Sequence, residues 1–172
     1  MSPQTKATIM KNRFSPVLKE VVSLSREEAI RLKSEAIGTS HLILAIIRQG
    51  HASTIELLKH ATISLPDLQK EIETDIGEIK QADIPAGRAI IFKKRLFGGF
   101  SFPRPSGLHL TREVEKAIRV SVVLAAQMKS PTVEPHHLLL AILKDKNNLV
   151  SRTLSGYGLT YELAEARLRH VM

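Results

Sequence analysis

Small and apolar residues recur at helical spacing through most of this chain, and they do so twice. Leu18, Val21, Val22, Ser25, Ala29 and Leu32 fall three or four positions apart, which places them on one face of a helix. Phe14-Ser15-Pro16 marks its start: a hydroxyl able to cap free amides, then proline at the first helical position. Arg26, Glu27, Glu28 and Arg31 fall mainly off that face and predict a solvated surface. After a connector from Lys33 to Gly38, a second and mostly apolar helix begins near Thr39 or Ser40. It stops at Arg48-Gln49-Gly50, where glycine suits a C-terminal stop. A third, short helix is predicted from about Ala52 to His60. Ser64-Leu65-Pro66-Asp67 opens a fourth, with Asp67 at the capping-box position and an end near Gly77.

The same pattern returns 96 positions later, His41 meeting His137, Leu42 meeting Leu138, Leu44 meeting Leu140, Ala45 meeting Ala141 and Ile46 meeting Ile142. The first helical face becomes Val114, Ala117, Ile118, Ser121, Ala125 and Met128 without a gap. Ser15 aligns with Thr111 and Ser64 with Thr160, so both first helices and both fourth helices keep a hydroxyl at the cap. The chain therefore reads as all-α, two tandem four-helix repeats forming one eight-helix domain about a pseudo-two-fold axis. Its predicted parts are an arm at 1–13, a first repeat at 14–78, an insert at 79–109 and a second repeat at 110–172.

The insert is irregular, with Pro85, Pro103, Pro105 and four glycines between Gln81 and His109. It holds Phe92, Phe97, Phe100 and Phe102, and after Asp83 its charges are all basic. Phe97-Gly98-Gly99-Phe100 predicts a hairpin turn in a short finger whose phenylalanines rest on helices.

Composition narrows the classes. Aromatic residues make up 4% of the 172, so the core must come from Leu, Ile, Val and Ala, which favours helices. There is no cysteine, which removes disulfide and thiolate chemistry and suits a reducing compartment. No run of about 18 apolar residues occurs, so no span of a membrane is expected, and the start lacks the apolar core of a secretory signal. The expected compartment is the cytoplasm. A net charge of +8 admits acidic partners without choosing among them.

The repeated GT-x-HL-x-L-A pattern, the Phe-Ser-Pro start, and EEAIRL at Glu27 to Leu32 resemble the Clp N-terminal repeat. ClpC- and ClpA-type ATPases carry two such repeats ahead of their AAA+ modules, and GLHLTREVEKAI at Gly107 to Ile118 is most similar to ClpC. The resemblance implies a non-catalytic domain that receives protein substrates or adaptor proteins and passes them to the Clp ATPase ring. No G-x-x-x-x-G-K-[ST] loop, nor even a Gly-Lys pair, occurs in this sequence. A free-standing adaptor or regulator with the same fold is the alternative, and a basic nucleic-acid binder is the third and weakest reading. No cofactor is expected, and the isolated domain is expected to be a monomer.

Some ClpC domains bind phosphorylated arginine, one site per repeat, through a glutamate of a GTEH motif and a hydroxyl at the first helix cap. By this resemblance the hydroxyls are Ser15 and Thr111, while Ser40 and His136 stand where the glutamates would be. A guanidinium calls for a bidentate carboxylate, so weak or no phosphoarginine binding is expected, although a protonated His136 would still suit a phosphate. His136-His137 has no third ligand at helical spacing, so a metal site is not expected, and His41 and His137 share a structural role. Glu27-Glu28 and Glu113/Glu115 belong to solvated helix faces rather than acid–base pairs. Val120 to Ala126 is different: Val122, Val123 and Leu124 replace Arg26, Glu27 and Glu28 of the first repeat. Such a helix is either covered by the insert or presents a patch to a partner, with Val122 and Val123 as its contact residues.

Overall fold

The computed structural model describes residues 14–81 and 108–171. Among these are eight helices in two sets of four. The first set is α1 (Pro16–Arg31), α2 (Thr39–Gln49), α3 (Ala52–Leu58) and α4 (Leu65–Gln81); the second is α5 (Arg112–Gln127), α6 (Pro135–Lys144), α7 (Leu149–Gly156) and α8 (Tyr161–Val171). Two strands of two residues, β1 (Ala36–Ile37) and β2 (His109–Leu110), join the sets. The starts of α1 and α5, and of α4 and α8, keep the 96-residue offset, while α7 starts one residue later than α3 would place it.

Local chemistry sets the helix ends. Ser15 and Thr111 sit in extended backbone ahead of α1 and α5, and each side-chain oxygen accepts from the third helical amide. At the far ends, neither helix has a glycine. Lys33 and Lys129 take the left-handed conformation instead, at φ of 53° and 54°. The amides then double back: Lys33 N to Ile30 O and Ser34 N to Ala29 O, repeated as Lys129 N to Ala126 O and Ser130 N to Ala125 O. This pair of bonds satisfies carbonyls that a helix end leaves open. Gly158, at φ of 85°, makes the same turn after α7.

The core lies where α2 and α6 meet. Every residue from Thr39 to Ile46 is buried, and so is every residue from Pro135 to Leu143. A helix buried on all sides needs neighbours all round. α2 is wrapped by α1, α3 and α4, α6 by α5, α7 and α8, and the two pack on each other as well. α6 also touches α1 and α3, so each repeat closes part of the other's core.

The backbone makes the same exchange. Ile37 pairs with Leu110 in the parallel β1–β2 ladder, and Phe14 bridges Val133. Thr111 N donates to Ile37 O at 3.0 Å, and Ser15 N donates to Val133 O at 3.1 Å. Since Phe14 matches Leu110 and Ile37 matches Val133 across the repeat, residue i meets j and j meets i, as a two-fold interface requires.

The sequence reading differs from the structure in several places. α3 ends at Leu58 rather than near His60, and α4 runs past Gly77 to Gln81. The short strands were not expected, because two residues each give no period to detect. Glu28, placed on a solvated face, is only 4% exposed. Its carboxylate accepts from Arg31 Nε at 2.8 Å and from Arg48 Nη1 at 3.1 Å, so the two arginines neutralise it. The arm at 1–13, the Phe97–Phe100 hairpin and the rest of the basic finger fall outside the described residues.

The left-handed lysines give a direct test. Replacing Lys33 or Lys129 with glycine removes the side-chain clash of that conformation and should stabilise the fold by about 0.5–1 kcal/mol each, after glycine's own entropic cost. Thermal unfolding should show a rise of roughly 1–4 °C per substitution.

Candidate recognition site

Ser15, Thr111, Ser40, His136, Val122 and Val123 divide into two surroundings. The first four lie at helix starts. Ser15 is buried, and its Oγ accepts from Leu18 N at 3.1 Å; Thr111 is half-buried, and its Oγ1 accepts from Val114 N at 3.4 Å. Both hydroxyl oxygens are thus engaged in capping their own helices.

Ser40 and His136 are the second residues of α2 and α6, and both are buried. One residue further on, His41 and His137 hold each start in place. His41 Nδ1 accepts from Gly38 N at 2.9 Å, and His137 Nδ1 accepts from Glu134 N at 3.0 Å. An imidazole here does what the glutamate of a capping box does, with Nδ1 bare and the proton on Nε2. This is the shared structural role implied by their repetition. The two differ beyond that bond: His41 Nε2 is 3.0 Å from Ser34 Oγ, whereas His137 Nε2 is buried without a partner.

The seam between repeats is polar at these helix starts. Asn148 caps α7 by accepting from Ser151 N, and its Nδ2 donates across the seam to Thr39 Oγ1 at 2.9 Å. On the other side, His136 Nδ1 lies 3.5 Å from Ser53 Oγ of α3. Burial, with the neighbouring His137 and His51 assisting and Glu134 opposing, holds the His136 pKa down to about 4. The ring is therefore neutral at pH 7, and the protonated contact with a phosphate left open by the sequence has no charge to offer. Among the described residues no group of three or more His, Cys, Asp or Glu is placed to hold a metal ion.

Val122 and Val123 lie far from this chemistry in kind. Val123 is 55% exposed on α5, Val122 is partly buried against the core, and Leu124 is fully inside. Ile30 is the other large apolar side chain so exposed among the described residues. Repetition explains the pair Glu28 and Leu124: both occupy the same inward position, one as a neutralised acid and one as a hydrocarbon. The signal missed in the sequence was Arg48, which sits on α2 and reaches back to Glu28 and Glu27.

Two four-helix units exchanging backbone pairings about a two-fold axis define a tandem-repeat helical fold. Residues 13–97 and 101–170 each match the Clp repeat (R) N-terminal domain, and the chain belongs to that family. It is 25% identical over 164 residues to the chaperone protein ClpB of Oceanobacillus iheyensis, covering 95% of this chain and 18% of that one. It is 23% identical, with the same coverages, to the negative regulator of genetic competence ClpC/MecB of Bacillus subtilis. The chain thus spans less than a fifth of the length of these curated relatives. Among solved structures, the N-terminal domain of ClpD from Arabidopsis thaliana superposes with a TM-score of 0.62 at 16% identity, covering 91% of this chain and 95% of that one. The Hsp104 N-terminal domain from Candida albicans gives 0.62 at 15% identity, covering 89% and 87%. Among the described residues no helix is long and apolar enough to cross a membrane.

The two caps differ in burial, and that yields an ordering. Ser15→Ala should cost about 1 kcal/mol, because it leaves the Leu18 amide without its acceptor in a buried setting, and Thr111→Ala should cost less. Urea unfolding of the two variants checks the order; equal or reversed losses would show that capping does not govern these positions.

Proposed function

We infer that this chain is the protein-recognition part of a Clp-type ATPase system, non-catalytic itself, which receives protein substrates or adaptor proteins for the ATPase ring. The observation that supports the reading most is the match of both repeats to the Clp repeat N-terminal domain. Among the relatives it matches, one is named as a chaperone and one as a negative regulator of genetic competence, and the chaperone name supports a role in handling proteins. In this reading 14–78 and 110–172 are the two recognition repeats, 79–109 links them, and the working compartment is the cytoplasm.

Val122 and Val123 supply the contact. An apolar side chain held in water on a stable helix gains free energy when a partner covers it. The first repeat carries charged Arg26 and Glu27 at the matching positions, so the two faces of the domain differ in what they offer. Phosphoarginine is not part of this function. Ser40 and His136 replace the acids that a guanidinium would pair with, and both are buried.

Two measurements check this. Fluorescence anisotropy with a labelled, permanently unfolded polypeptide should show saturable binding, weakened roughly tenfold by Val123→Asp, about the worth of one apolar contact. Unchanged affinity in that variant would remove Val123 from the contact surface. Calorimetric titration with free phosphoarginine should give no two-site binding; tight binding at two sites would reverse the assignment.

A further inference from the structure

The seam holds a cluster of imidazoles for which substrate recognition has no use. His51 is the cap residue of α3, Ser53 lies in that helix's first turn, and His136 comes from the start of α6 in the other repeat. Ser53 Oγ is 3.0 Å from His51 Nδ1 and 3.5 Å from His136 Nδ1. One hydroxyl donates a single proton, so Ser53 can donate to one bare Nδ1 and accept from the other ring's Nδ1–H. That arrangement links the two repeats through one hydroxyl.

An added proton on His136 finds little to hold it. The ring is 8% exposed, and its Nε2 is buried without a hydrogen-bond partner. It stands at the N-terminus of α6, where the aligned peptide dipoles present partial positive charge. The His137 ring, itself 0% exposed, lies 4.1 Å away, centroid to centroid. The titratable groups acting on His136 are His137 and Glu134 from the start of its own helix and His51 from the start of α3. Glu134 alone favours the charge, and its Oε1 already accepts from Thr132 Oγ1 at 2.7 Å.

We propose that the His51–Ser53–His136 cluster is an acid-sensitive latch between the two repeats, in which protonation of His136 releases the start of α6 from α3, so that the first turns of these two helices open while the rest of each repeat stays folded. The direction follows from linkage. His136 has a pKa of about 4 when the seam is closed and the ordinary 6.5 when water reaches it, so the open form binds the proton more tightly. Opening does not depend on pH above the ordinary value and grows as pH falls from 6.5 towards 4. With those two values it rises about tenfold between pH 7.5 and 5.5, and about thirtyfold by pH 5.

Amide hydrogen exchange on the intact chain, corrected for the intrinsic effect of pH, reads this directly. The reporters are the amides of Thr54 and Ile55, bonded to His51 O, and of His137 and Leu138, bonded to Glu134 O. The controls are Leu32, bonded to Glu28 O, and Met128, bonded to Leu124 O, at the far ends of α1 and α5. Protection at the reporters should fall about tenfold between pH 7.5 and 5.5 while the controls hold. His136→Ser, which places Ser40's counterpart at the same helix position, should abolish the difference; His136→Asn serves the same purpose if the serine variant does not fold. Equal loss at reporters and controls, no loss at either, or an undiminished acid response in the folded variant would each overturn the latch.

Discussion

Two helices that are apolar on every side cannot be covered by three short neighbours apiece. α2 and α6 are buried along nearly their whole length, and each borrows cover from the opposite repeat. This requirement shapes everything else in the molecule. The repeats must face each other across a two-fold axis, and the connectors ahead of α2 and α6 must lie beside the chain that leads into α5 and α1. The reciprocal bonds from Thr111 to Ile37 and from Ser15 to Val133 are the backbone consequence.

Symmetry in the backbone leaves room for asymmetry in the side chains. The position of Glu28 is filled by Leu124 in the second repeat, and both solutions are buried. The acid is tolerated because Arg31 and Arg48 bring two charged donors to it, and Arg31 also bonds Glu73 on α4. Removing one member of such a set leaves the rest uncompensated, whereas the leucine needs no partners. The outward positions beside it diverge as well, charged in the first repeat and valine in the second. The same scaffold thereby carries a charged face on the first repeat and an exposed valine on the second.

Much of the fold was legible in the sequence. The 96-residue echo, the hydroxyl caps at Ser15 and Thr111 and the apolar runs after Gly38 and Glu134 gave eight helices in two sets. The turns after α1 and α5 were not legible, since lysine rather than glycine occupies the left-handed position and carries no such signal. Burial of Glu28 was hidden for another reason. Its partner Arg48 lies 20 residues away on a different helix, and periodicity along one helix carries no news of that.

By itself the sequence determined the repeat, its helices and the place of each candidate residue on them, because caps and apolar spacing act within a few residues of chain. Tertiary structure decided what those residues became. Packing buried Ser40, turned His136 from a possible ligand contact into a seam residue and held it neutral, and left Val123 facing water. Charge, hydration and exposure depend on which distant groups surround a side chain, and only packing brings those groups together.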